Sequence, residues 1–107
     1  MKETIVAEKT FTSFNFDNLQ NFYFESCEFD NCTFNKNSLL NVQFSDCHFQ
    51  NCNLSNCTLD ASILEFCTFD TCNLSNSTFE KTTLYHTEIR DNCNITNVDL
   101  SKAIMDD

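Results

Sequence analysis

CEFDNCTF (residues 27–34), CHFQNCNL (47–54) and CTFDTCNL (67–74) repeat one pattern at intervals of twenty residues. Each stretch holds two cysteines five residues apart, and each cysteine is followed two residues later by Phe or Leu. Steps of five in both directions give Phe14, Leu19, Phe24, Phe29, Phe34, Leu39, Phe44, Phe49, Leu54, Leu59, Leu64, Phe69, Leu74, Phe79, Leu84 and Ile89. Phe, Leu and Ile supply 26 of the 107 residues, so sixteen consecutive hits are not a chance alignment. The register slips by one residue near Asn92 and resumes at Ile95, Leu100 and Met105. Neither the helical period of 3.6 nor the strand period of 2 fits this chain.

Two residues before each apolar position sits a smaller one, and all eight cysteines fall there: Cys27, Cys32, Cys47, Cys52, Cys57, Cys67, Cys72 and Cys93. Asn37 holds the same place in its repeat. The remaining positions are mostly Asn, Asp, Ser, Thr, Glu and Gln. A chain that turns two residues of every five inward must bend once per repeat. Four bends close a square coil of twenty residues, and successive coils stack at the strand spacing of about 4.8 Å. The coils are read as 27–46, 47–66, 67–86 and 87–107, with a less regular first coil at 7–26. Face 1 carries the Cys32, Cys52, Cys72 and Cys93 column. Faces 2 and 3 follow in chain order, and face 4 carries Cys27, Cys47 and Cys67. Residues 4–11 are expected to lay an apolar strand over the first coil, so 1–11 reads as a capping strand and 12–107 as the repeat array.

The runs Ser26-Cys27-Glu28-Phe29-Asp30, Asn31-Cys32-Thr33-Phe34-Asn35 and Asn51-Cys52-Asn53-Leu54-Ser55 resemble the pentapeptide repeat family. That resemblance covers about residues 12–107. It implies an all-β fold: a right-handed quadrilateral parallel β-helix of about five coils. The chain departs from the family's habit in favouring Cys over Ala before the apolar residue.

The cysteines read as small buried hydrophobes beside the large apolar residues. Stacked along columns, they do not converge as a tetrahedral zinc site requires, and parallel neighbours hold their Cβ atoms farther apart than a relaxed disulfide prefers. His48 and His86 face outward without a Cys, Ser or Asp partner at catalytic spacing. The chain has no glycine for a phosphate loop. No catalytic, metal or cofactor-binding residue is therefore expected, and the reading is of a protein that is not an enzyme.

Sixteen acidic against six basic side chains give a net charge of −10. Such a surface disfavours direct contact with nucleic acid and favours a basic protein partner. No apolar run reaches membrane-spanning length, and the start lacks the apolar stretch of a signal peptide. A cytoplasmic location, with reduced cysteines, is expected.

Function should lie on the outward side chains. Faces 3 and 4 carry Glu25, Glu28, Asp30, Asp46, Glu65, Asp70, Glu88 and Asp91 against Arg90, whereas faces 1 and 2 carry Lys36 and Lys81. Face 3 also breaks the polar rule at Tyr23, Ile63, Phe66, Tyr85 and Ile104, with His86 beside Tyr85. A contact surface for a protein partner is expected from Tyr23, Ile63, Phe66, Tyr85, His86, Glu25, Asp46 and Glu65. The last coil shows no cap, so Leu100, Ile104 and Met105 are expected to form a homodimer interface. The opening Ile5-Val6-Ala7-Glu8-Lys9 and the later Phe24-Glu25-Ser26-Cys27-Glu28-Phe29 are similar to the start of the quinolone-resistance pentapeptide proteins. That resemblance implies an alternative to a general interaction scaffold. It is a DNA mimic that binds DNA gyrase or topoisomerase IV and protects it from quinolone-type inhibitors.

Overall fold

The computed structural model describes residues 3–17, 19–34 and 39–105. Lys36 and Asn37 of the sequence reading lie outside these residues, as do both ends of the chain. The chain winds as a right-handed quadrilateral parallel β-helix of about five coils. Among the described residues there is no helix.

Two faces are sheets. Face 3 stacks Thr4–Ala7, Phe22–Glu25, Gln43–Ser45, Ile63–Glu65, Thr83–Tyr85 and Ile104–Met105 in that order, all parallel. Face 4 stacks Thr10–Thr12, Glu28–Asp30, His48–Gln50, Thr68–Asp70 and Glu88–Ile89. Face 1 begins as the pair Asn15–Phe16 and Thr33–Phe34 and continues as single bridges through Asn53, Asn73 and Asn94. Face 2 is joined by bridges at Thr58, Thr78 and Asp99. Faces 1 and 2 spend their residues on turns, because Asn and Ser side chains there bond their own backbone. Asn53 Oδ1 accepts from the Ser55 N–H at 3.0 Å, and Asn73 and Asn94 do the same for Ser75 and Thr96.

The corner residue lies two positions after the apolar residue, and at the described corners up to His86, and again at Asn97, its φ is positive. At sixteen described positions from Glu8 to Asn97, φ lies between 46° and 66°, and none of these residues is glycine. Left-handed backbone costs an ordinary residue about 1–2 kcal/mol, and Asn is the non-glycine type that tolerates it best. Seven of the sixteen are Asn: 21, 31, 41, 51, 56, 76 and 97. A chain without glycine turns every five residues by this means.

The apolar positions meet inside the tube. Phe11, Phe29, Phe49 and Phe69 stack face to face along face 4, at centroid distances of 5.4, 4.8 and 4.5 Å. Phe24 and Phe44 stack likewise at 5.2 Å on face 3. Rings from adjoining faces meet edge to face, as in Phe44 against Phe49 at 73°. The square cross-section satisfies both geometries that aromatic quadrupoles prefer. Each buried ring contributes on the order of 1.5–3 kcal/mol.

The residue before each apolar one does more than fill space. The Cys47, Cys52, Cys57, Cys67 and Cys72 thiols donate to the carbonyls of Phe24, Phe29, Phe34, Phe44 and Phe49, in the coil below. Thr82 and Thr87 hydroxyls donate in the same way to Leu59 and Leu64. The position thus often holds a small residue that carries a donor, although Val42, Val98 and Ala103 fill it without one. None of the eight cysteines is in a disulfide.

The ends differ from the middle. Central strands pair twenty residues apart, as in Phe49 with Phe69. At the start the offset is eighteen: Val6 pairs with Phe24, Phe11 with Phe29 and Phe16 with Phe34. The expectation that Phe14 holds the inward column is therefore corrected. Phe14 is 50% exposed, and Val6, Phe11 and Phe16 point inward instead. Two residues are missing between Phe16 and Leu19 relative to the coil above, so counting back from Leu19 by five lands on the wrong Phe. At the other end the offset is twenty-one, as in Leu84 with Met105. The added residue is Asn92, as the slip in the sequence indicates. Its side chain takes over a lost ladder bond: Asn92 Oδ1 accepts from the Thr71 N–H at 3.1 Å, and its Nδ2 donates to Asp70 and Thr71.

Candidate docking face

Stacking at coil spacing turns sequence positions into columns. Outward on face 3, one column runs Ile5, Tyr23, Gln43, Ile63, Thr83, Ile104. The next runs Ala7, Glu25, Ser45, Glu65, Tyr85. The corner between faces 3 and 4 is a third column: Glu8, Ser26, Asp46, Phe66, His86. Tyr23 and Ile63 thus share a column but are half-buried and separated by Gln43. Glu25 and Glu65 share a column with Tyr85, with Ser45 between the two carboxylates.

Phe66, Tyr85 and His86 come together. The Phe66 and His86 rings stack at 5.1 Å and 20°, and Tyr85 stands edge-on to both, at 5.4 and 4.3 Å. Phe66 is 55% exposed and Tyr85 is 37% exposed. Both Phe66 (φ 56°) and His86 (φ 46°) are corner residues with left-handed backbone. The sequence pattern identified these residues as apolar exceptions but not as strained ones. The signal that finds the strain is the recurrence of Asn at the same step of other repeats.

The carboxylates surround this cluster unevenly. Faces 3 and 4 present Glu25, Glu28, Asp30, Asp46, Glu65, Asp70 and Glu88. Arg90 is already engaged, 3.3 Å from Asp70 and 3.4 Å from Glu88. Hydrogen bonds from Asn92 and Thr71, and then the Arg90 charge, hold the Asp70 carboxyl below its ordinary value. The Ser101 backbone N–H does the same for Asp99. Ser26 Oγ donates to Asp46 Oδ2 at 3.4 Å. Two hollows flank Phe66: one of about 320 Å³ toward Asp46 and Glu28, and one of about 490 Å³ toward His86 and Glu88.

Seven of the eight thiols are buried. The bond with the Cys67 thiol and burial push the Cys47 thiol up, and burial raises Cys57 to about 12, whereas the bond with the Cys72 thiol lowers Cys52. A thiol held in its protonated form is neither a nucleophile nor a metal ligand. Among the described residues no three His, Cys, Asp or Glu side chains converge on a point that could hold a metal ion. No helix of the described residues is long and apolar enough to cross a membrane.

Toward Met105 several apolar side chains reach solvent. Ile95, Ile104 and Met105 are each more than half exposed, and Leu100 is half-buried.

Residues 40–88 match the family model described as pentapeptide repeats, in nine copies. Among solved structures, a trypsin-treated variant of QnrB1, a plasmid-mediated fluoroquinolone resistance protein, superposes with a TM-score of 0.51 at 14% identity. It covers 92% of this chain and 73% of its own. Rfr23, a pentapeptide repeat protein from the cyanobacterium Cyanothece 51142, gives a TM-score of 0.44 at 10% identity, covering 96% and 88%. No curated protein matches the chain. At such identity the QnrB1 likeness concerns the fold, and it agrees with the five-residue register and the square coil; the family match shows that residues 40–88 are built of pentapeptide repeats.

Proposed function

We propose that the protein is a non-enzymatic scaffold that docks a partner protein on the corner between faces 3 and 4. One observation carries this reading: two bulky rings, Phe66 and His86, occupy left-handed corner positions in successive coils and face solvent. Strain of this kind persists where something other than stability selects it. Clustered exposed rings on an acidic face fit a contact patch. The test is affinity capture followed by titration of the recovered partner against Phe66→Ser with Tyr85→Ser. Retained affinity in a folded double variant removes the reading.

The exposed side chains of Ile104 and Met105 support pairing of two copies through Leu100, Ile104 and Met105. Sedimentation that shows a monomer at high concentration ends that part of the proposal. A cytoplasmic setting fits the reduced thiols.

A second reading has its own support. Carboxylates recur at coil spacing on two adjoining faces, and the coil resembles that of a fluoroquinolone resistance protein. In this reading the acidic tube, nearly as wide as it is long at 30 × 28 × 25 Å and so not the rod its repeat suggests, presents itself as DNA to gyrase or topoisomerase IV. A supercoiling assay with and without fluoroquinolone decides it: protection supports the mimic, and no change in inhibition removes it.

A further inference from the structure

The two hollows beside Phe66 have a spacing and a charge that specify an occupant. The lower one lies among Ser26, Glu28, Asp46 and His48 and centres on the coil of Asp46. The upper one lies among His86, Thr87 and Glu88 and centres on the coil of His86. Phe66 and Thr68 wall both, so the Phe66 ring divides one trough in two. The centres are two coils apart, or roughly 9–10 Å. Carboxylates stand at both sites, and the upper one, Glu88, also accepts from Arg90 Nε. Among the described residues, His48 Nε2 is buried without a hydrogen-bond partner, in the residue that walls the lower hollow.

We propose that this trough receives an extended basic segment of a partner protein, with one arginine on each side of the Phe66 ring. This deepens the docking reading above and rests on it. Arginine suits both hollows: its planar guanidinium lies beside an aromatic ring, Phe66 in the lower hollow and His86, stacked on Phe66, in the upper, while its N–H groups reach the carboxylates. The spacing selects the backbone of the segment. A polyproline II chain has three residues per turn and rises about 9.3 Å in that turn, so residues n and n+3 point the same way at the distance between the hollows. An extended β-strand places n and n+2 on one side only about 6.7 Å apart, short of that distance. The recognised pattern is therefore Arg-x-x-Arg in a proline-rich setting.

The test uses labelled proline-rich peptides of about twelve residues in fluorescence anisotropy, with the arginines at n and n+3, at n and n+2, or replaced by Glu. The protein is the full chain, as wild type, Asp46→Asn and Phe66→Asn. Asn is the residue other corners use at this φ, so both variants keep the coil, which thermal melting verifies. The n+3 peptide is expected to bind at least about fivefold tighter than the n+2 peptide, and Phe66→Asn to weaken it about tenfold. Asp46→Asn should weaken it less and reduce its salt dependence. Equal binding of the three peptides, or indifference to Phe66→Asn, overturns the proposal. If the partner recovered by capture still depends on Phe66 while no basic peptide does, the docking corner stands and the arginine trough falls. If neither depends on Phe66, both fall.

Discussion

Two corners of the same tube impose one backbone geometry and hold opposite side chains. Between faces 1 and 2 the described corner residues are Asn56, Asn76 and Asn97, each with φ of 60°. Between faces 3 and 4 they are Glu8, Ser26, Asp46, Phe66 and His86, with φ from 46° to 57°. The first corner is what the backbone selects when nothing else intervenes. Its asparagines also bond one another: Asn97 Nδ2 donates to Asn76 Oδ1 at 3.0 Å. The second departs from that preference, with carboxylates at Glu8 and Asp46 on the earlier coils and rings at Phe66 and His86 on the later ones. The docking reading of Phe66 and His86 rests on that difference.

Both corners rest on the same interior, so the largest expected effect ignores the contrast between them. Phe49→Asp places an unpaired charge between the Phe29 and Phe69 rings. It should cost more than about 4 kcal/mol and abolish cooperative melting followed by circular dichroism. Next, Asn76→Ile should cost about 1–2 kcal/mol in urea unfolding, because a β-branched residue resists left-handed backbone. Phe66→Asn is expected to change stability by less than about 1 kcal/mol. Relief of backbone strain of about 1–2 kcal/mol offsets the lost ring contacts, worth about 0.5–1.5 kcal/mol. A larger loss in the same experiment would mean that the ring holds the coil together and would end the functional reading of this corner.

The smallest effect is set by pH. Asp70 and Asp99 both have folded values below their unfolded ones. Their contribution is thus complete above the unfolded value, about 3.9, and is lost as pH falls through the lower folded values. The melting temperature should decline below about pH 4, and Asp70→Asn with Asp99→Asn should flatten that decline. An unchanged slope in the double variant would show that neither carboxylate contributes.

The sequence made the coil legible because burial acts on every fifth residue without exception from Leu19 to Leu84. Phe14 shows where that reading stops. Val6, Phe11 and Phe16 form an equally good series in steps of five, and it interlocks with Phe14, Leu19 and Phe24. Spacing alone cannot choose between two overlapping series; the strand pairing of Phe11 with Phe29 does. The thiols as buried fillers were legible from their position. Their donation to the coil below was not, because it depends on an acceptor some twenty-three residues away. Phe66, Tyr85 and His86 were visible as exceptions to the polar rule. Their contact and their strain required the third dimension, since Phe66 and His86 become neighbours only when one coil lies on the next.

The unequal coils have a consequence for register. Central coils share one outline, so a pairing slipped by a whole coil would keep their ladder bonds in step. The pairing at an offset of eighteen and the pairing at twenty-one match no central coil, so a chain shifted by one coil would put ladder bonds out of step at those two places. The irregular coils thereby fix an alignment that a uniform repeat leaves open.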